Sequence, residues 1–120
     1  MRSVIQIACV ISATGCAADA DGISGFYSVS GVEPSGIPYT SSAEISMTGS
    51  TTAEIQLDTL GAPVVGVCMV TDSEVACHAD KGGGYYSMVI YEREANGVLK
   101  GVWIHSGLKG LGQETLTPAN

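Results

Sequence analysis

Apolar and polar residues alternate with a period of two along two stretches in the first half of the chain. Residues 43–48 read Ala-Glu-Ile-Ser-Met-Thr, and residues 53–58 read Ala-Glu-Ile-Gln-Leu-Asp. Successive side chains of a β-strand point to opposite faces of the sheet. This pattern therefore predicts two strands that each bury one face and expose the other to water.

Segments of β-type composition recur along the rest of the chain at intervals of roughly ten residues. Turn-forming Gly, Asn, Asp and Ser residues separate them, and no long run has the spacing of an amphipathic helix. The pattern predicts eight strands, at residues 25–31, 39–48, 52–58, 64–70, 74–79, 85–93, 98–105 and 112–117.

The length of a hairpin loop predicts the register of the strands that it joins. A three-residue loop at residues 49–51 places Ile45 opposite Ile55, whereas a two-residue loop would place it opposite Glu54. The longer loop is favoured because it buries two apolar side chains opposite each other.

The same reasoning applies to the hairpin around residues 95–97. A three-residue loop there places Glu92 opposite Lys100, a favourable charge pair, and Tyr91 opposite Gly101. An aromatic ring is then expected to cover a glycine of the neighbouring strand.

Eight sequential antiparallel strands have two unpaired edges unless the sheet closes on itself. The predicted fold is therefore all-β, an up-and-down meander that closes into a small barrel, with a two-sheet sandwich as the alternative. Glu44, Glu54 and Asp58 lie on the polar faces of two strands, where a barrel that spans a membrane would need apolar residues.

The first residues of the chain have the features of an export signal. A short basic start precedes ten largely apolar residues, 3–12, too few for a permanent membrane helix. The next four residues, Ala-Thr-Gly-Cys, resemble the lipobox of bacterial lipoproteins, which implies acylation of Cys16. Cleavage near Ala18 or Ala20 by an ordinary secretory route is the alternative.

This interpretation divides the chain into a lipoprotein signal peptide (1–15), a lipidated tether (16–22) and a β-barrel domain (23–120). The expected location is the bacterial cell envelope, anchored to a membrane through the lipid. If the cell is Gram-negative, Ala17 directly after the cysteine resembles the residue at this position in lipoproteins that are sorted to the outer membrane. Ordinary secretory cleavage would instead make the protein periplasmic or secreted.

The remaining cysteines predict one disulfide. Cys9 leaves with the leader and Cys16 carries the lipid, so Cys68 and Cys77 remain in an oxidising compartment. A hairpin that turns at residues 71–74 places these two cysteines opposite each other. His78 would point to the other face of its strand, so the disulfide is favoured over a metal site.

Composition narrows the range of partners. Five basic residues against twelve acidic ones give a formal net charge of -7, which repels nucleic-acid phosphates and argues against nucleic-acid binding. The only histidines, His78 and His105, have no nucleophile or carboxylate at a catalytic spacing in the sequence. Ser87 falls opposite His105 in the predicted register, but we expect no enzyme activity, no metal and no cofactor.

Aromatic residues are the best indication of a binding surface. Tyr39, Tyr85 and Tyr86 lie at strand ends beside glycine-rich loops, where exposed tyrosines serve recognition. They are the candidate contacts for a ligand or partner. Tyr27, Tyr91 and Trp103 are instead expected to fill the barrel, and residues 82–84, three consecutive glycines, are expected to form a mobile loop.

Several spaced residues resemble a group of small exported bacterial lipoproteins of unknown function. These residues are G-x-Y-x-V-x-G at 25–31, L-x-G-x-W at 99–103 and G-x-E-x-L at 112–116. The resemblance covers most of the mature chain and implies a barrel but no activity. The expected architecture is similar to lipocalin-like and avidin-like barrels, although residues 25–27, Gly-Phe-Tyr, replace their Gly-x-Trp signature.

Membrane-bound lysozyme inhibitors are similar in being small lipoproteins with eight-stranded barrels. Residues 84–87, Gly-Tyr-Tyr-Ser, loosely resemble their serine-glycine-tyrosine loop, and their threonine-lysine-glycine motif is missing. The sequence thus favours an envelope lipoprotein that acts as a non-catalytic binding or inhibitory module toward an envelope protein, glycan or small molecule. A structural or interaction lipoprotein without a ligand pocket is the alternative.

Overall fold

The structure, a computed structural model, describes residues 22–59 and 62–119. These residues form eight β-strands in chain order. They are β1 (Gly25–Val32), β2 (Pro38–Met47), β3 (Thr52–Thr59), β4 (Ala62–Val70), β5 (Glu74–Gly82), β6 (Tyr85–Arg93), β7 (Leu99–His105) and β8 (Gly112–Pro118).

The eight strands close into a barrel. Each strand is antiparallel to its neighbour in the chain, and β8 returns to pair with β1, with Gly31 opposite Glu114. Closure pairs the two strands that would otherwise be sheet edges. The prediction of an all-β, up-and-down barrel is confirmed, and the two-sheet sandwich was the wrong alternative. Within residues 22–59 and 62–119 there is no helix with the length and apolarity needed to cross a membrane.

The predicted registers are confirmed in both hairpins. Ile45 lies opposite Ile55, and both side chains are buried. Tyr91 lies opposite Gly101, next to the Glu92 and Lys100 pair. In each hairpin the inward-facing residues of the two strands meet only in this register, because a shift by one residue would expose the buried set.

The predicted disulfide is also confirmed. Cys68 and Cys77 are bonded, with their Cα atoms 4.0 Å apart, and both are buried inside the barrel. Val70 lies opposite Val75 in the same hairpin. His78, next to Cys77, points outward, and its ring stacks on that of Tyr86 at a centroid distance of 5.9 Å.

The glycines at residues 82–84 form a tight turn between β5 and β6, at the position predicted for a loop. Strand β5 continues to Gly82, three residues beyond its predicted end, and β6 begins at Tyr85. All three glycines have positive φ angles, from 63° to 84°, which other residues rarely adopt. A register shift between Asp80 and Gly82 accompanies the extension of the strand.

Candidate functional site

The two ends of the barrel are packed differently. At the N-terminal end, which comprises residues 22–24 and the turns at 48–51, 71–73 and 94–98, most large inward-facing side chains are buried, among them Val70, Val75 and Leu99, while Met47 is half-buried. Ile23 belongs to the same core cluster, and its backbone carbonyl accepts a hydrogen bond of 2.6 Å from the Tyr27 hydroxyl. This end of the barrel is closed by its own side chains.

The opposite end, which we call the mouth, is less completely filled. It is surrounded by the loops at residues 33–37, 83–84 and 106–111, and its inward-facing residues keep part of their surface exposed. These half-buried residues are Tyr39, Ser41, Leu57, Val64, Ser87, Trp103 and His105. The mouth therefore offers accessible side chains at the end away from the N-terminus.

A buried carboxylate lies beneath the mouth. Glu114 of β8 points into the barrel and is 8% exposed. The Tyr39 hydroxyl donates to Glu114 Oε1 at 2.8 Å, and the Tyr91 hydroxyl donates to Oε2. Both carboxylate oxygens therefore have a donor, as a buried charged group requires.

The two tyrosines keep their protons in this arrangement. Burial, followed by the charge of Glu114 and the hydrogen bond to it, raises the pKa of Tyr91 well above its usual value. The same causes, in the same order, raise the pKa of Tyr39. Each hydroxyl consequently remains a hydrogen-bond donor to the carboxylate across the neutral pH range.

Glycines in the barrel wall make room for the aromatic rings around Glu114. A Cβ atom on Gly101 would lie 2.6 Å from Cδ1 of Tyr91. In the same way, the Tyr39 ring occupies the space beside Gly31, and the Trp103 ring occupies the space beside Gly112. The spaced glycines, aromatics and glutamate of the three sequence patterns thus face the barrel interior, where they form its wall and filling.

Trp103 lies between this cluster and the mouth. Its ring packs edge-on against that of Tyr39, with centroids 6.2 Å apart. Its Nε1–H is close enough to the Tyr39 oxygen to moderate the rise of the Tyr39 pKa, but it makes no hydrogen bond of ordinary geometry. Among the side chains of residues 22–59 and 62–119, it is a buried donor without an acceptor.

His105, two residues beyond Trp103 on β7, packs against Tyr85 at the rim of the mouth. Their rings lie 5.7 Å apart at an interplanar angle of 31°, and the backbone N–H of Gly107 donates to His105 Nδ1 at 2.8 Å. In the neutral ring the hydrogen is then on Nε2, which makes Nε2 a donor. Although Ser87 lies opposite His105 as predicted, this tautomer cannot accept a proton from it.

The three tyrosines predicted as contacts occupy different surroundings. Tyr39 is half-buried at the mouth with its hydroxyl held by Glu114, whereas Tyr85 is exposed at the rim, where its ring lies beside His105. Tyr86 lies on the outer surface beside His78. The predicted lipidation site, Cys16, lies outside the described residues.

Sequence reasoning missed Glu114 and did not place Trp103 or His105 at the mouth. Glu114 shares its face with Gly112 and Leu116, both buried, so the period of two already indicated that the glutamate points inward. No signal in the sequence named Tyr39 as its partner, because 75 residues separate them.

No family model matches the chain, and no curated protein is similar to it in sequence. A solved structure of a redesigned β-barrel is similar to it in fold, with a TM-score of 0.66 and 14% sequence identity. The match covers 84% of this chain and 95% of the designed one. This likeness concerns the fold alone, which is an antiparallel β-barrel.

Proposed function

We propose that the chain is a lipid-anchored, non-catalytic binding module of the bacterial cell envelope, which presents its mouth to an envelope protein, glycan or small molecule. The observation that carries the proposal is the difference between the two ends of the barrel. The end where the chain enters is closed, whereas the opposite end keeps aromatic and polar side chains accessible. A chain anchored through its N-terminus would hold that open end away from the membrane.

The chemistry of the mouth supports binding more than catalysis. Trp103 Nε1–H is a buried donor without an acceptor, which costs free energy, so a ligand whose binding turned the ring toward the mouth would gain by accepting this hydrogen bond. The Tyr85 and His105 rings add an apolar surface with a donor at Nε2. Both Glu114 oxygens are occupied by tyrosine hydroxyls, which does not suit a general base.

Trp103 is the only tryptophan of the chain, so its fluorescence reports directly on the mouth. We expect a saturable change in emission when soluble peptidoglycan fragments or purified envelope proteins are titrated into the protein. Tyr85→Ala should weaken this binding about tenfold because the ring lines the mouth. Tyr86→Ala is the matched control, since the neighbouring residue points outward.

Absence of an emission change with every envelope fraction would contradict the proposed binding, as would equal effects of the two alanine variants. The anchor is tested separately by the intact mass of the protein purified from membranes. A mass that includes acyl chains on Cys16, with no acyl chains in Cys16→Ser, is the expected result. An unacylated chain cut at Ala18 or Ala20 would contradict it.

A second function, that of an interaction lipoprotein without a ligand pocket, is favoured by a different observation. The outer surface of strands β4 to β7 exposes large apolar side chains on neighbouring strands. Under this function the outer wall of the barrel, and not its mouth, is the contact surface. Tyr85→Ala would then leave partner binding unchanged.

A further inference from the structure

One side of the barrel exterior is apolar, whereas the other is polar. The outward positions of β2 and β3 carry Thr, Ser, Glu, Gln and Asp. The central outward positions of β4, β6 and β7 instead carry exposed aliphatic side chains, and the half-buried Ala76 of β5 lies among them. We call this surface the apolar face, and its members are Val65, Val67, Met69, Ala76, Met88, Ile90, Val102 and Ile104.

The strand registers make the apolar face continuous. One row across the sheet consists of Val67, His78, Met88 and Ile104, which are successive cross-strand partners; His78 is its one polar residue, and its ring is stacked on that of Tyr86. The next row consists of Met69, Ala76, Ile90 and Val102. Outward-facing residues of a closed barrel contribute little to its core, so folding alone does not explain two neighbouring rows of this kind.

We propose that the apolar face binds the same face of a second copy of this chain, forming a twofold symmetric dimer. Its side chains together expose roughly 700 Å², more than the largest apolar patch of most monomeric proteins. Because the face curves around four of the eight strands, two such faces can bury at most roughly 1,400 Å² in total, an upper limit that reaches the range of stable, specific interfaces. Charged groups lie at the edges of the face, with Glu54 beside Val67 and Glu92 beside Lys100, as in interfaces with an apolar centre.

The shape of the face also suits a second copy. Ala76, the smallest of the outward side chains, lies between Met69 and Ile90. A twofold axis parallel to the strands and between β5 and β6 places Ile90 of the second copy over this depression, and the reverse contact forms by symmetry. Sheets packed in this way interdigitate their side chains at a separation of about 10 Å.

This axis is also the one that suits anchored chains. Rotation about an axis parallel to the strands leaves both N-terminal ends on the same side and both mouths on the other. A perpendicular axis in the plane of the interface would point the two N-termini in opposite directions. The choice of axis rests on the proposed anchor, whereas the apolar face itself does not.

The test is the association state of the chain carrying Cys16→Ser, so that acyl chains cannot drive association, measured by sedimentation equilibrium. We expect a reversible dimer. Val67→Lys and Ile90→Lys should each weaken it about tenfold or more, because each would bury an unpaired charge. Phe26→Lys is the matched control, since Phe26 is exposed to the same extent as Val67, 64%, but lies on β1 outside the face.

A chain that remains monomeric up to millimolar concentration would overturn the proposal, as would equal effects of the three lysine variants. A monomer that binds phosphatidylethanolamine and phosphatidylglycerol vesicles through the face would also overturn it, in favour of a membrane contact. None of these results bears on the proposed binding of a ligand at the mouth. If the Trp103 fluorescence titrations are unchanged in the lysine variants, ligand binding at the mouth does not depend on dimer formation.

Cross-linking tests the axis. Val67 and Ile104 lie in one row on strands that are not neighbours, and the proposed axis places each over the other residue of the second copy. A mixture of Val67→Cys chains and Ile104→Cys chains treated with a long, flexible bis-maleimide should therefore give a covalent dimer. A covalent dimer obtained instead from a mixture of Val67→Cys chains and Met69→Cys chains would indicate the perpendicular axis and overturn the proposed one.

Discussion

Removal of one tyrosine hydroxyl from Glu114 tests the role of the buried carboxylate. In Tyr91→Phe the ring remains and only the donor to Oε2 is lost. Tyr91 is 0% exposed, so water cannot replace the hydroxyl without opening the barrel. Because hydrogen bonds to charged groups contribute about 1.5–3 kcal/mol and an unsatisfied buried oxygen adds to the loss, we expect a destabilisation of about 2–4 kcal/mol.

Tyr39→Phe removes the donor to the other oxygen, with a smaller expected effect. Tyr39 is half-buried at the mouth, where water can reach Oε1 in place of the hydroxyl. We expect a loss of about 1 kcal/mol. Tyr86→Phe, a change to an outward-facing tyrosine, is the control and should stay within about 0.5 kcal/mol of the unchanged protein.

Urea unfolding under non-reducing conditions measures these free energies, with Trp103 fluorescence and circular dichroism as two independent probes. The Glu114→Gln background completes a double-mutant cycle with Tyr91→Phe. We expect a coupling of about 1–2 kcal/mol, because the neutral amide depends less on the tyrosine donor. If Tyr91→Phe costs less than about 0.5 kcal/mol, or costs the same in both backgrounds, the carboxylate is not held by this hydrogen bond.

Three further predictions concern the wall of the barrel, the disulfide and alkaline pH. Gly101→Ala should be destabilising by about 2–3 kcal/mol, because the new methyl group meets the buried Tyr91 ring. Gly112→Ala should instead displace the half-buried Trp103 and shift its emission. Urea denaturation curves measure the effect of Gly101→Ala, and fluorescence spectra measure that of Gly112→Ala. Replacing both disulfide cysteines by alanine should cost about 2–3 kcal/mol in urea unfolding, and an unchanged midpoint would contradict this. Because the pKa of Tyr39 and that of Tyr91 are raised in the folded state, their contribution is complete below the unfolded pKa of about 10 and is lost as pH rises above it. Stability measured from pH 8 to 12 should therefore fall less steeply in the double phenylalanine variant.

The sequence by itself determined the features that depend on neighbouring strands. The period of two located two strands, β-type composition between turn residues located the other six, and most of the predicted ends agree with the structure within two residues. Turn length and like-with-like burial predicted that Ile45 faces Ile55, Tyr91 faces Gly101 and Cys68 faces Cys77. These contacts lie within single hairpins, where few registers compete and a shift by one residue reverses the buried and exposed faces.

Local patterns were insufficient where glycines allow more than one conformation. The glycines at residues 82–84 have no side chains to indicate a buried face, so the strand before them was predicted to end early. In the barrel, pairing with β6 extends β5 to Gly82, and three left-handed residues then complete the turn.

The tertiary structure alone decided which residues meet across the barrel. Closure pairs β1 with β8 and brings Tyr39 and Tyr91 to Glu114 from two different strands. It also decided which side of β4 points outward, because residues 63–70 are almost entirely apolar on both faces and alternation cannot distinguish them. The mouth and the apolar face follow from closure, since curvature turns one set of side chains into a confined interior and leaves the other set exposed to solvent.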